Sequence, residues 1–165
     1  MLKITQSLDG SLNTYTDAAH GDVKENGRST GGYLVKFGPG AVSWNSKVQP
    51  FVALSTSEAE FIAVVEAGKE IFWMCNILKE FGYKIDGPCI LHCDNQSAIQ
   101  VAKNPDHHRW MKHLDLQFFW LRDAVENGAF TVSYLPTGEM PADALTKPLS
   151  RQKVIEGRSM MGLDE

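Results

Sequence analysis

The chain has 165 residues, 43% of them hydrophobic and 22% charged, with a formal net charge of −4. That length fits one domain, 1–165, with a sizeable core, and the balance is that of an ordinary globular protein. The acidic excess argues against a protein that grips nucleic acid by bulk electrostatics alone; no apolar run approaches a membrane span, and no secretory signal opens the chain.

Residues 12–18 read as a strand that leads into a polar, Gly-containing turn from Gly21 to Thr30. Gly32 to Phe37 and Ala41 to Asn45 read as two further strands, joined by Gly38-Pro39-Gly40, a strong hairpin signal. A long helical pattern follows. Phe61, Val64, Val65, Gly68, Ile71, Phe72, Cys75 and Leu78 keep i, i+3, i+4 spacing, and Phe81-Gly82 closes it. Cys89 to Cys93 reads as a short buried strand, and Asp94-Asn95-Gln96-Ser97 supplies caps for a helix that Asn104-Pro105 stops. A second amphipathic helix is predicted from about Trp110 to Glu126, then a fifth strand from Ala129 to Leu135. Met140 to Thr146 reads as a short helix broken by Pro148, and the tail from about 150 to 162 as helical. Three strands followed by alternating helices and strands imply an α/β fold: a five-stranded mixed sheet with helices on its faces. The fourth strand is expected parallel to the first, reached by the long crossover helix.

Three cysteines, Cys75, Cys89 and Cys93, without C-x-x-C spacing, argue against a structural zinc site or a disulfide framework and for a reducing intracellular setting. The acidic residues are more informative. Asp17 and Asp94 end β-type runs, Asp143 opens a short helix, and Glu58 and Glu60 lie near the start of the long one. Strand ends and helix starts can converge, and converging carboxylates repel unless a cation stands between them. Hard divalent ions take oxygen ligands, and a pair of them can clamp a phosphodiester under attack. At about 100° per residue, Glu58 and Glu60 flank the apolar stripe on opposite sides, so periodicity leaves the choice between them open.

The motifs, in order, resemble the ribonuclease H domain that ends copia-type retrotransposon polyproteins. The matching stretches are Tyr15-Thr16-Asp17-Ala18, Arg28-Ser29-Thr30-Gly31-Gly32-Tyr33, Val42-Ser43-Trp44-Asn45-Ser46-Lys47 and the run from Ala53 to Ala63. They continue through Cys93-Asp94-Asn95-Gln96-Ser97-Ala98, Lys112-His113-Leu114-Asp115 and the run from Ala142 to Leu149, and so cover nearly the whole chain. The resemblance implies a ribonuclease H-like fold and an endonuclease that hydrolyses the RNA strand of RNA–DNA hybrids during reverse transcription. It implies two Mg²⁺ (or Mn²⁺) ions held by Asp17, Glu60, Asp94 and Asp143, with Asp17 bridging both and Asp143 on the ion that activates water. The family register selects Glu60, because Phe61-Ile62-Ala63 follows it as the motif requires; Glu58 is then a helix N-terminal carboxylate. The resemblance also implies a reverse transcriptase domain in the same polyprotein, which would grip the hybrid, and a cytoplasmic virus-like particle as the setting.

A cut that depends on ribose must sense a 2′-hydroxyl. Ser29, Thr30, Ser57, Asn95 and Gln96 are the polar candidates for this, and Arg28 and Lys47 are the cations that would meet phosphates. Many relatives carry a His-bearing loop before the last acidic residue. Here Pro136 to Ala142 holds no His, which leaves the proton shuttle unassigned, with Glu139 as a candidate stand-in. His107-His108-Arg109 reads as an exposed loop and His113 as a polar helix position, since no Cys or Asp stands at ligand spacing. Trp73 and Trp120 are expected in the core or at its edge, and Trp110, the best candidate of the tryptophans for exposure, is also read as packed. The rival readings are a non-catalytic module on the same fold, for hybrid binding or assembly, and an integrase- or resolvase-like relative that acts on DNA.

Overall fold

The computed structural model describes residues 11–83, 85, 89–103 and 115–163. The strands are β1 (Leu12–Val23), β2 (Arg28–Phe37), β3 (Gly40–Val48), β4 (Cys89–Cys93) and β5 (Phe130–Tyr134). The helices are α1 (Thr56–Glu80), α2 (Gln96–Lys103), α3 (Asp115–Glu126), α4 (Asp143–Thr146) and α5 (Arg151–Met160), with a 3₁₀ turn at Thr137–Glu139. The sheet order is β3-β2-β1-β4-β5. β1, β2 and β3 form an antiparallel meander, and β4 and β5 add to it in parallel. Parallel neighbours need crossovers, and the α1 segment supplies the first of them.

Side chains alternate across a strand, so β1, β2 and β3 each serve two cores. Leu12, Ala18 and Val35 pack with Phe61, Val64 and Ile71 of α1 in the larger core, which Leu91, Phe118, Phe130 and Val132 complete. Leu34, Ala41 and Met161 make a smaller core with Tyr15, Ala144 and Leu145, under α4 and α5. Gly162 has a φ of +75°, which lets the chain turn after α5 directly against Pro39 and Gly40, and the Ala41 N–H donates to Met161 O at 3.0 Å. The tail is thereby fastened to the β2–β3 hairpin.

Several sequence expectations change. β1 does not stop near Ala18. It runs to Val23, paired with β2 through Ala18↔Gly31, Ala19↔Thr30 and, after a register shift, Val23↔Arg28. A ladder is made by backbone groups, so polar side chains do not end it. Asp22 fastens this ribbon, accepting from the Thr30 N–H and hydroxyl, each at 2.7 Å. Trp73 is 56% exposed, so it lies on the outer face of α1 and outside the core. Trp120 packs beside Phe130, with ring centroids 6.5 Å apart. The side chains of Cys75 and Cys89 meet, because α1 packs on β4 and brings together residues 14 apart in sequence. His107, His108, Arg109, Trp110, Lys112 and His113 lie outside the described residues. Among the described residues, no helix is long and apolar enough to cross a membrane.

Candidate metal centre

Asp17 lies one residue past the last β1–β4 pair, Thr16↔Cys93, and Asp94 is the first residue after β4. Two neighbouring parallel strands thus deliver two carboxylates to one sheet end. α1 adds a third. Its N-cap Ser55 accepts from the Glu58 N–H at 3.2 Å, and Glu58 Oε2 accepts from the Leu54 N–H at 2.9 Å. The pair closes the helix start much as a capping box does, with the Glu58 carboxylate on the residue before the N-cap. It commits Glu58 to the helix start and leaves Glu60, 3% exposed, in the second turn, where its Oε1 accepts from the Ala18 N–H at 3.3 Å. Asp143 opens α4 and brings the fourth carboxylate from the opposite face of the sheet.

The packing of α4 depends on Gly32, which pairs with Asp17 across the β1–β2 ladder. A Cβ at residue 32 would stand 2.9 Å from Leu145 Cβ and Thr146 Cγ2. Only a residue without a side chain lets the short helix approach this closely. The Ser46 hydroxyl adds a bond to Leu145 O at 2.6 Å.

One carboxylate oxygen each from Asp17, Asp94 and Asp143 lie within 4.8 Å of one another, and Glu60 and Asp94 form an overlapping group with the Cys93 sulfur. The four predicted carboxylates therefore share one basin, with Asp94 common to both groups. At an effective dielectric of about 20, two unit charges ~5 Å apart repel by about 3 kcal/mol. Neighbouring groups relieve part of this. The Lys147 ammonium stands 2.9 Å from both Asp17 Oδ1 and Asp143 Oδ1, the Thr137 hydroxyl donates to Asp94 Oδ2 at 2.7 Å, and the Thr146 hydroxyl donates to Asp17 Oδ2.

Glu60 is the least relieved. Its Oε2 is buried without a hydrogen-bond partner among the described residues. Burial, then the charges of Asp17 and Asp94, push its carboxyl up to about 8. Burial also raises Asp143, against the pull of Lys147. Burial pulls the Lys147 ammonium down, but its bonds to Asp143 and Asp17 outweigh that and hold it above its ordinary value. Burial and the Glu60 charge push the Cys93 thiol up, so it stays protonated and is no ligand for a hard ion.

The donor set fits divalent cations. It is made of carboxylate oxygens, one of them is buried and unpartnered, and an ammonium already stands where positive charge is needed. Asp17, Glu60, Asp94 and Asp143 are the residues that could hold such ions.

The other sequence candidates divide. Arg28 and Lys47 both line a cavity of about 350 Å³ between β2, β3 and α1, with Tyr33, Gln49 and Ile62 among its walls. Ser57 is half-buried at the start of α1, and Gln96 is exposed at the start of α2. Ser29 is buried and its hydroxyl accepts from the Gly21 N–H at 3.1 Å, while Thr30 is bound to Asp22. Asn95, rather than Asp94, caps α2, its Oδ1 accepting from the Ala98 N–H at 3.0 Å. Glu139 is exposed on the 3₁₀ turn whose first residue, Thr137, touches Asp94. Sequence reasoning gave no role to Lys147, Thr146 or Thr137. For the first two, the signal was their place at i+4 and i+3 from Asp143.

No family model matches the chain. It is 41% identical over 155 residues to the retrovirus-related Pol polyprotein from transposon TNT 1-94 of Nicotiana tabacum, a match covering 94% of this chain and 12% of that protein. It is 37% identical over 153 residues to the corresponding polyprotein from transposon RE1 of Arabidopsis thaliana, covering 93% of this chain and 10% of that one. The chain thus spans about a tenth of the length of the curated relatives it matches. Among solved structures, LC11-RNase H1 in complex with RNA/DNA hybrid superposes with a TM-score of 0.56 at 17% identity, covering 82% of this chain and 94% of that one. Sheet order, the carboxylate-bearing end and these likenesses agree: the chain has the ribonuclease H fold and is homologous to a segment of the retrovirus-related Pol polyproteins of plant transposons.

Proposed function

We propose that the chain is a ribonuclease H, an endonuclease that hydrolyses the RNA strand of RNA–DNA hybrids. Asp17, Glu60, Asp94 and Asp143 hold two divalent ions, Mg²⁺ or Mn²⁺. The observation that carries this reading is the meeting of four carboxylates from β1, α1, β4 and α4, with Glu60 Oε2 left unpartnered inside the basin. When bound, such ions supply positive charge for the attacking and leaving oxygens of a phosphodiester. The chain's own groups do the rest. Asp17 is fully buried and held by the Thr146 hydroxyl, which fixes its carboxylate. Thr137 orients Asp94 in the same way.

Arg28 and Lys47 contact phosphates of the bound strand, and Ser57 and Gln96 supply polar contact beside it. Ser29, Thr30 and Asn95 shape the β1–β2 ribbon and the start of α2, on which the strand would lie. Within a longer polyprotein, a reverse transcriptase portion adds the grip that an acidic chain of net charge −4 lacks, in the setting of a cytoplasmic particle.

The test is cleavage of a labelled RNA–DNA hybrid, with duplex RNA and duplex DNA as controls, by the wild-type chain and Asp94→Asn. The expected result is hybrid-specific cleavage with Mg²⁺ or Mn²⁺, none in EDTA, and a loss of at least about a hundredfold in the variant. Equal rates for the two proteins, or no cleavage with either ion, would contradict the reading.

A further inference from the structure

Lys147 is the one lysine that touches the carboxylate basin among the described residues, and it does so twice. Its Nζ lies 2.9 Å from Oδ1 of Asp17 and 2.9 Å from Oδ1 of Asp143. The two oxygens belong to different elements, so the ammonium ties α4 to β1 across the charged gap. Accepting the quartet as a metal site, we propose that Lys147 is a resident counter-ion of the metal-free protein, which a divalent ion must displace. Metal entry and the outward swing of this side chain are then one event.

Space, charge and side-chain freedom all favour this displacement. The first is space. A divalent ion of the Mg²⁺ type stands about 2.1 Å from its oxygens. An ammonium 2.9 Å from the same two oxygens cannot remain in that notch beside it, because two cations would be pressed together. The second is charge. One ammonium supplies a single positive charge to a basin of four carboxylates, which holds the metal-free protein together but leaves it under-neutralised. A divalent ion gains by replacing it, whereas a monovalent ion trades one charge for one and gains little. Lys147 thus sets a threshold that favours divalent over monovalent cations.

The third is freedom to move. The Lys147 side chain is 35% exposed, against 0% for Asp17 and 13% for Asp143. It stands at the C-cap of α4 in extended backbone, with φ −127° and ψ 143°. Its four-carbon stem can turn to solvent without moving the helix. The carboxylates stay in place, and only the placeholder leaves. Lys147 is on this account a positioning residue that acts through the ligands.

The experiment is calorimetric titration of Mn²⁺ into wild type, Lys147→Met, Lys147→Gln, Lys147→Arg and Asp94→Asn, with thermal melts of each in EDTA. The two neutral variants are expected to bind Mn²⁺ at least fivefold more tightly than wild type and to melt at lower temperature in EDTA. Lys147→Arg, which keeps the charge, is expected to stay near wild type in both. Lys147→Gln keeps groups able to bond Asp17 and Asp143, and it carries the test should Lys147→Met unfold without metal. Neutral variants that bind Mn²⁺ no more tightly than a binding-competent wild type overturn the counter-ion proposal and leave the metal site standing. Absence of Asp94-dependent binding in wild type and both neutral variants removes the metal site itself, and this proposal with it.

Discussion

Within the basin, each carboxylate is stabilised differently, and the differences have consequences. Asp17 has Lys147 and Thr146, Asp94 has Thr137, and Glu60 has one backbone N–H and a bare second oxygen. In the unfolded chain Glu60 ionises at its ordinary value near 4.5, but in the folded metal-free protein not until about 8. The native state therefore binds the proton more tightly than the unfolded state does. Its stability is undiminished below about pH 4.5, falls as pH rises through the window up to about 8, and stays reduced above it. Glu60→Gln removes that penalty. Measured by denaturant melts in EDTA, the variant is expected to be more stable than wild type by about 4 kcal/mol at pH 8, and by little at pH 4. A stability difference that does not change between those pH values would contradict this.

At this scale the sequence was partly legible. Asp94 after an apolar run and Asp143 at a helix start could be singled out. Glu58 and Glu60 could not be separated by periodicity, because the distinction lies in bonds to Leu54 and Ala18 that no helical wheel contains. Lys147 escaped because a lysine at i+4 from an aspartate is an ordinary helix-surface pair. Only the docking of α4 onto β1 makes it a part of the basin.

At the scale of elements, α4 is the weakest support of the site. A four-residue helix has no independent stability, so tertiary contacts must hold it. Those contacts are the Ser46 bond to Leu145, the Thr146 and Lys147 bonds to Asp17, and the close approach to Gly32. Gly32→Ala places a methyl 2.9 Å from two side-chain carbons of α4. It is expected to cost about 1–3 kcal/mol in stability and to weaken Mn²⁺ binding, because Asp143 moves with the helix. Thermal melts and calorimetric titration check both effects; wild-type values in both would show that α4 is not held this way. The same contacts explain what was readable here. α1 and β4 follow from apolar spacing and flanking breakers, whereas the last five of the 12 residues of β1 were missed. Its Ala19–Val23 segment carries little apolar signal and exists because β2 pairs with it and Asp22 binds Thr30.

For the molecule as a whole, the order of predicted elements was enough to give the mixed sheet and the parallel placement of β4, since a helical crossover leaves few alternatives. The Cys75–Cys89 pair was not legible, because it depends on which face of α1 meets β4. The exposure of Trp73 was missed for the same reason. Net charge sets a further expectation. With −4 overall and two cations, Arg28 and Lys47, on one cavity, hybrid binding should be weak and should depend only shallowly on salt. The slope of log affinity against log salt is expected near −2, and Arg28→Ala or Lys47→Ala should each flatten it by about 1. Fluorescence anisotropy with a catalytically disabled Asp94→Asn chain measures this, and unchanged slopes in both variants would remove Arg28 and Lys47 from the substrate path.

The central claim is that four carboxylates from four elements hold a pair of divalent ions, and a crystal of the chain soaked in Mn²⁺ tests it most directly through anomalous scattering. The account predicts two peaks in the basin, with oxygens of Asp17, Glu60, Asp94 and Asp143 around them and the Lys147 ammonium turned away. No peak there, or manganese bound elsewhere while Lys147 remains between Asp17 and Asp143, would contradict it.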